Sequence, residues 1–356
     1  MKQDTKARSY VGKQVFIGID VHKKTYTVVA RVEEEVVKKW TTTASPQSLS
    51  QQLLKYFAGA TIYSAYEAGF SGFVLHRELE AHGIENIVVN AAGIEVAVND
   101  RVKTDKRDAL KLATLLEAKR LKRIRIPSEE EEAHRLLSRT RKQLVEDCTA
   151  VKNKIRMKFH QFGLIDADET RDMTHKLVKE LLANAPSKEL AIVINAYWNV
   201  WKSLDEEIKK IEQELKQQAK EDPNEKTYRS APGVGPQSAR ILSNELGNMS
   251  QFCNERQLFS YTGLTPSEYS SGEAIRRGHI THQGNDKVRG ILIEIAWRAI
   301  EKDQALAQFF NRLFPRTGKK KAIVAVARKL IGRIRAAFQK GEIYQLGYPD
   351  TLSQIA

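Results

Sequence analysis

The sequence has few of the features that mark secreted or membrane proteins. Its 356 residues include two cysteines, Cys148 and Cys253, and no Cys-x-x-Cys pair, which excludes a disulfide framework and a thiolate zinc site. The longest apolar stretches, such as residues 322–327, are too short to span a bilayer. The first residues lack the apolar core of a signal peptide. We therefore expect a cytoplasmic protein with reduced thiols and no membrane contact.

Basic residues are in clear excess. The chain has 58 Lys and Arg against 44 Asp and Glu, a formal net charge of +14. Such an excess favours a polyanionic partner, and nucleic acid is the commonest one. A solvated basic surface without a partner is the alternative. The length indicates two or three domains.

The first third of the chain alternates strands and helices. Hydrophobic periodicity predicts the order β-β-β-α-β-α-β-α, which is that of a ribonuclease H-like domain. The predicted strands are 15–20, 25–32, 36–43, 60–67 and 86–91, and the predicted helices are 46–57, 71–82 and 105–121. We assign this α/β catalytic domain to residues 1–125.

Four acids fall at the ends of these elements. Asp20 and Glu67 each close an apolar strand, and Asp105 and Asp108 lie three apart on the last helix, which Thr104 caps. Strand-ending acids with an i,i+3 pair are what a two-cation phosphodiester site needs, and carboxylates suit Mg²⁺ or Mn²⁺. Turn and cap residues, or a salt-bridged helix start, are the alternative.

Residues 126–228 are predicted to be a helical domain. Ser128 and Glu131 form a capping box. Apolar residues then repeat at heptad spacing along two long helices, as in coiled-coil seams. The seam residues are Leu137, Leu144, Cys148, Val151, Ile155 and Phe162 on the first helix, and Trp201, Leu204, Ile208, Ile211 and Leu215 on the second. An antiparallel hairpin, a dimer contact and an ordinary bundle all fit. The polar stretch 217–229 indicates a linker.

Residues 229–356 are predicted to form a third, mainly α-helical domain. A glycine-rich turn, Pro-Gly-Val-Gly-Pro at 232–236, opens a helix and resembles a helix-hairpin-helix grip on a DNA backbone. A plain turn between helices is an equal alternative. A further helix is predicted from Asp286 to about Phe310.

A Ser-Ser-Gly segment precedes that helix. Ser270 or Ser271 near Arg276 and Arg277 could act as a nucleophile on phosphorus, with the arginines binding the phosphoryl oxygens. From chemistry alone, a turn between strands is the better interpretation. The histidines, including His22, His82, His279 and His282, give no convincing metal-ligand spacing.

Basic residues elsewhere are candidate phosphate contacts. They are Arg101, Lys103, Lys106 and Arg107 around the paired aspartates, Lys152, Lys154, Arg156 and Lys158 on the first long helix, and Lys319, Lys320 and Lys321, followed by Arg328, Lys329, Arg333 and Arg335, near the C-terminus.

Taken as a set, these motifs resemble a known family. Gly-Ile-Asp-Val-His-Lys, Tyr-Glu-Ala-Gly, Lys-Thr-Asp-Lys-Arg-Asp-Ala, Pro-Gly-Val-Gly-Pro, Tyr-Thr-Gly-Leu-Thr-Pro, Ser-Ser-Gly and Ile-Thr-His-Gln-Gly-Asn occur in the order found in DEDD transposases of insertion sequences related to the Piv DNA invertase. Bridge-RNA-guided recombinases belong to this family. His282-Gln283 departs from the basic pattern of many relatives.

The resemblance implies a RuvC-like domain, a coiled-coil insertion and a C-terminal transposase domain. It assigns the metal ligands to Asp20, Glu67, Asp105 and Asp108, and the nucleophile to Ser271, with Ser270 as the alternative. It implies a phosphoserine link to DNA and a site that joins the acids of one subunit to the serine of another. Donor DNA, target DNA, a noncoding bridge RNA and further copies, as a dimer or a synaptic tetramer, would be the partners of a nucleoid-associated enzyme.

The leading hypothesis is therefore an RNA-guided insertion-sequence transposase. A metal-dependent nuclease of the Holliday-junction type, or a site-specific invertase, is a second possibility, and the nuclease needs the acids but no serine. A basic RNA- or DNA-binding scaffold without activity is a third, which the four intact acids disfavour.

Overall fold

The structure is a computed structural model that describes residues 9–94, 104–166, 168–268, 277–281 and 283–347. The chain divides into two compact units, Met1–Ile126 and Pro127–Ala356. Apolar cores form separately within each unit. In the described parts of the chain, no helix is both long and apolar enough to cross a membrane.

The first unit is built on a five-stranded mixed sheet of order β3-β2-β1-β4-β5. Strands β1 to β3 form an antiparallel meander, and β4 and β5 continue the sheet parallel to β1. The strands are β1 Gln14–Val21, β2 Thr25–Val32, β3 Glu35–Thr43, β4 Thr61–Glu67 and β5 Glu85–Val89, and the helices are α1 Pro46–Tyr56, α2 Val74–Ala81 and α3 Asp105–Glu117. This order confirms the predicted α/β domain and is consistent with an RNase H-like fold.

Side chains of β1 alternate between the two faces of the sheet. Val15, Ile17 and Ile19 are fully buried in a core that also contains Leu49 of α1 and Leu75 of α2. The intervening residues therefore face the other side, which α3 covers. This alternation decides that Asp20 lies on the face covered by α3.

Both ends of α3 are fixed. The Thr104 hydroxyl accepts a hydrogen bond from the Arg107 backbone N–H, which confirms the predicted cap. At the other end, Glu117 accepts from Arg31 Nε at 2.6 Å and from the Glu34 N–H at 2.7 Å, both in the region of the β2–β3 turn. The helix ends at Glu117, four residues before the predicted end, and Lys119 follows with a positive φ of 56°.

In the second unit, two long helices pair antiparallel within the chain. They are α4, Glu129–Gln161, and α6, Lys188–Glu221. Arg141 pairs with Glu212 at 2.7 Å, and further along Lys152 lies over the Trp201 ring at 4.6 Å, so the numbering rises on one helix as it falls on the other. The seam is shared with α5, His175–Leu182, whose Val178 is fully buried in the same core.

The predicted linker at 217–229 is wrong. Helix α6 continues to Glu221, and α7 then spans Asn224–Ser230, with Pro223 at its N-cap position. The stretch looks like a linker in sequence because the last turns of α6 present polar residues to solvent. Tyr228 nevertheless is fully buried, which ties α7 to the C-terminal core.

The remaining elements form a second apolar core. They are α8 Pro236–Leu246, α9 Glu255–Thr262, β6 Pro266–Glu268, β7 Arg277–Ile280, α10 Asp286–Lys302, α11 Gln304–Thr317 and α12 Lys319–Lys340. The single helix predicted from Asp286 to Phe310 is two helices, because Asp303 ends α10 and its carboxylate caps α11 through the Ala305 and Leu306 N–H groups. The division into three domains at 125 and 228 stays a prediction.

Candidate active site

Asp20 and Glu67 end two neighbouring parallel strands. The register pairs Ile19 of β1 with Tyr66 of β4, so the two acids follow directly after a matched pair. Because side chains alternate along each strand, both acids lie on the same face of the sheet. The predicted placement of these acids at two strand ends is therefore confirmed, and the pairing of β1 with β4 makes the two strands neighbours.

A glycine brings the other two acids to this edge. A Cβ atom at Gly18 would lie 1.9 Å from the Ala109 carbonyl oxygen and 2.6 Å from the Ala113 nitrogen, so the backbone of α3 packs directly on β1. Ala109 is one residue beyond Asp108 on α3. The close approach at Gly18 therefore sets the distance between Asp20 and the first turn of α3.

Three side chains converge at this point. The Nε2 atom of His22 lies 3.1 Å from Oδ2 of Asp20 and 3.2 Å from Oδ2 of Asp105. Among the residues with described positions, these three form a group whose candidate ligand atoms all lie within 4.8 Å of one another. Glu67 and Asp108 stand outside this group of three.

The charge of Asp108 nevertheless affects Asp20. The pKa of Asp20 is raised above its ordinary value, first because the carboxyl is partly buried and also because Asp105 and Asp108 repel its charge, while His22 lowers it. Carboxylates crowded in this way favour a bound cation. The oxygen-rich donor set suits Mg²⁺ or Mn²⁺. These residues therefore fit the metal expected from the sequence.

His22 belongs to this group although its spacing to other residues does not predict it. No histidine or cysteine stands at a metal-ligand spacing from His22 in sequence, because its partners are carboxylates. Its signal was the spacing in Asp-Val-His, since residues two apart at the end of a strand lie on one face.

The basic residues predicted around the paired aspartates lie partly within the described structure. Lys106 and Arg107 are exposed on the first turn of α3. Arg101 and Lys103 lie outside the described residues. The exposed cations stand one and two residues after Asp105 on the same helix.

The predicted nucleophile also lies outside the described residues, as do Ser270, Arg276 and His282. Arg277 begins β7, and its backbone alone is described. The strands on either side of the serine segment, β6 and β7, pair antiparallel. They connect the segment to the helical core of the second unit.

Gly263 and Gly284, which lie on either side of the serine segment in sequence, allow two backbone segments to cross in close contact. A Cβ at Gly263 would lie 2.1 Å from the Gln283 carbonyl oxygen, and one at Gly284 would lie 2.5 Å from the Tyr261 carbonyl oxygen. Both glycines also have positive φ, 67° and 87°. Larger residues would therefore force the two backbone segments apart.

The buried carboxylate of Glu245 binds the side chain of Asn285, the residue that follows Gly284. Glu245 of α8 has no exposed side-chain surface and accepts two hydrogen bonds from Arg139 of α4, at 2.7 and 2.8 Å. It also accepts from Nδ2 of Asn285 at 2.8 Å, and the Asn285 side chain in turn caps α10. This network ties the chain that leaves the serine segment to two other helices.

The two glycines of the Pro-Gly-Val-Gly-Pro turn differ in their surroundings. Gly233 has φ of 77°, and a Cβ there would lie 2.7 Å from the Ile295 carbonyl oxygen of α10. Gly235 has open space around its Cβ position and precedes α8. Gly233 therefore serves packing inside the protein, and Gly235 is the glycine that leaves room at the start of a helix.

The remaining basic candidates differ in their contacts. Arg156 donates to the carbonyl oxygens of Glu169 and Arg171, and Lys154 lies 5.9 Å from the centre of the Tyr197 ring. Lys319 lies over the Trp297 ring at 5.0 Å, and Lys320 and Lys321 beside it are exposed at the start of α12.

Two arginines of the predicted C-terminal stripe have partners inside the protein. Arg335 is buried and donates to the Phe252 carbonyl oxygen at 2.9 Å, and the partly exposed Arg333 contacts the buried Asp303 at 3.4 Å. The prediction of a phosphate contact at Arg335 is wrong, because helix periodicity turns it toward the core, whereas a contact at Arg333 stays a prediction.

The fold and site define a class of protein. The first unit is consistent with an RNase H-like domain, with acids on adjacent strand ends and on the covering helix, and a helical unit follows it. A DEDD transposase model for IS110 elements matches residues 17–163, and the model of the transposase IS116/IS110/IS902 family matches residues 226–311. The chain belongs to the IS116/IS110/IS902 family of transposases.

Individual relatives agree with this assignment. The y4qE protein of Sinorhizobium fredii, named as a candidate transposase, is 30% identical over 322 residues, 87% of this chain and 75% of its own. The transposase for insertion sequence element IS1533 of Leptospira borgpetersenii is 27% identical over 343 residues, 92% of this chain and 96% of its own. The transposase for IS1111A of Coxiella burnetii is 28% identical over 279 residues, 76% of each chain.

Proposed function

We propose that this protein is an insertion-sequence transposase that cuts and rejoins DNA through a phosphoserine intermediate. The observation that carries the proposal is the convergence of Asp20, His22 and Asp105 at the edge of the sheet, beside Asp108. It stands in a chain that belongs to a transposase family.

The acids are proposed to hold Mg²⁺ or Mn²⁺. Asp20, Asp105 and Asp108 would supply oxygen ligands, and Glu67 on the neighbouring strand would complete the set. A divalent cation at this place supplies charge neutralisation to a phosphodiester. The chain itself contributes a fixed frame, since Gly18 and the Arg31–Glu117 pair hold α3 against the sheet.

Ser271 is proposed as the nucleophile, with Ser270 as the alternative. Its hydroxyl would give up its proton and form a bond to phosphorus as the bond from phosphorus to one sugar oxygen of the strand breaks, and that sugar oxygen would take up a proton and leave as a hydroxyl group. Arg276 and Arg277 would bind the phosphoryl oxygens. The Glu245 network and the close packing of Gly263 with Gly284 support a role for this part of the chain, because they fix the residues on both sides of the serine segment.

The partners proposed are donor DNA, target DNA and a noncoding bridge RNA. The net charge of +14 supports polyanionic partners. Exposed Lys106, Arg107, Lys320 and Lys321 are the described cations best placed to contact phosphates. We further propose that copies of the chain assemble, as a dimer and then a synaptic tetramer, with acids and serine contributed by different copies.

Ser271→Ala is expected to abolish recombination between donor and target DNA, because the attacking oxygen is removed. Ser270→Ala is the matched control and is expected to stay active, because it keeps the proposed attacking oxygen. The measurement is product formation in an assay that supplies both DNAs and the RNA of the element. Full activity of Ser271→Ala together with an inactive Ser270→Ala would move the nucleophile to Ser270. Full activity of both single variants and of the double variant would contradict the proposal and favour a metal-dependent nuclease or resolvase that needs no serine.

A further inference from the structure

The imidazole of His22 lies between two carboxylates that belong to different elements. It approaches Asp20 on β1 and Asp105 on α3 through the same atom, Nε2, at 3.1 and 3.2 Å. The backbone of His22 is fixed as well, because its N–H donates to the Thr25 carbonyl oxygen in the turn from β1 to β2. His22 is thus held at the mouth of the site by the sheet itself.

A single ring nitrogen of His22 faces two carboxylate oxygens. Nε2 can carry at most one hydrogen atom, so one hydrogen would have to serve both carboxylates. Ligand atoms about 3 Å apart are the neighbouring corners of an octahedron with metal–ligand bonds of about 2.1 Å. The distance from Nε2 to each carboxylate oxygen is therefore the spacing that two ligands of one divalent cation would have, and the two oxygens lie within 4.8 Å of each other.

We propose that His22 is a metal ligand together with Asp20 and Asp105. The proposal rests on the metal site of the proposed function and goes beyond the four acids by adding a nitrogen ligand. Imidazole binds Mn²⁺ and later transition metals more readily than Mg²⁺. His22 therefore makes the site more selective for Mn²⁺ over Mg²⁺ than a set of carboxylates alone.

The alternative role for His22 is that of a counter-charge. A protonated imidazole would neutralise Asp20 and Asp105 and would have to leave when a cation binds. The two roles predict opposite changes in Mn²⁺ affinity when His22 is replaced. Removing a ligand weakens Mn²⁺ binding, whereas removing a competing charge strengthens it.

The test uses Mn²⁺ as the probe, with the full-length protein in the absence of DNA. Pulsed electron paramagnetic resonance detects the coupling of a directly bound ¹⁴N nucleus. We expect this coupling in the wild type and its loss in His22→Gln. We also expect His22→Gln to weaken Mn²⁺ binding at least about tenfold, with a smaller effect on Mg²⁺ measured by competition.

His82→Gln is the matched control, since His82 is a partly exposed histidine of the same unit that pairs with Glu78. It is expected to keep both the coupling and the affinity. Wild-type protein without ¹⁴N coupling, or tighter Mn²⁺ binding by His22→Gln, would overturn the proposal.

Asp20→Asn separates this proposal from the metal site on which it rests. Mn²⁺ binding that depends on Asp20 but shows no ¹⁴N coupling would overturn the role of His22 alone. Mn²⁺ binding that is absent, or unaffected by Asp20→Asn, would overturn the metal site and the role of His22 together.

Discussion

Asp20→Asn is expected to lower DNA recombination at least about a hundredfold while leaving the fold intact. Asparagine keeps the shape of aspartate and removes its charge, so the cation loses a ligand that lies at the centre of the site. The measurement is recombination of donor and target DNA by purified protein, with circular dichroism to confirm the fold.

Although it lowers activity, the same variant is not expected to lower stability. The pKa of Asp20 is raised in the folded protein, so the ionised carboxylate disfavours folding. This penalty is absent below the ordinary pKa of 3.8, grows as the pH rises through the folded pKa, and is complete above it. Metal-free Asp20→Asn is therefore expected to melt at or above the wild-type temperature at pH 7, with any gain disappearing in acid.

Glu33→Gln serves as the control for loss of a carboxylate. Glu33 is an exposed acid of the same unit that pairs with Lys13 at 3.0 Å, and its replacement is expected to leave activity unchanged. An Asp20→Asn protein with full activity would remove Asp20 from the site. A large fall in its melting temperature would show that Asp20 has a structural role instead.

Gly18→Ala is expected to destabilise the protein by about 3 kcal/mol and to abolish metal binding. The added Cβ would lie 1.9 Å from the Ala109 carbonyl oxygen, so α3 must move by more than an ångström. That movement takes Asp105 and Asp108 away from Asp20. The measurements are denaturant unfolding and the affinity for Mn²⁺.

Gly93→Ala is the matched control for this substitution. Gly93 lies in the same unit, and nothing stands within 4 Å of its Cβ position. We expect a change of less than about 0.5 kcal/mol and unchanged Mn²⁺ affinity. Equal unfolding free energies and equal Mn²⁺ affinities of the two variants would show that the close packing of α3 on β1 is not needed to hold the acids together.

Much of the first unit could be predicted because its signals are local. Each strand has its own alternation of apolar and polar residues or its own apolar run, and Thr104 is an N-cap residue that marks the start of α3. Asp20 and Glu67 were placed at strand ends by the same patterns. Parallel pairing of β1 with β4 then brings the acids to one face, a step that follows from topology rather than from any single motif.

The parts that were missed depend on contacts between distant segments. His22 meets Asp105 across 83 positions of sequence, and no spacing rule reports such a pair. Residues 217–229 looked like a linker because an exposed helix end and a linker share the same polar composition. The turn at 232–236 fits a DNA-backbone grip and a plain turn between helices equally well in sequence, and the neighbour of Gly233 is the backbone of α10. Hydrophobic periodicity predicts which face of a helix is buried, but not which segment of the chain packs against that face.

The most direct test of the account is to identify the residue that becomes bound to DNA. Wild-type protein would be incubated with donor DNA, the RNA of the element and Mg²⁺, then digested and mapped by mass spectrometry. We predict a nucleotide adduct on Ser271 that EDTA prevents and that Asp20→Asn does not form. Cleaved DNA without any protein adduct would contradict the account, because it would show that water, and not a serine, attacks the phosphodiester.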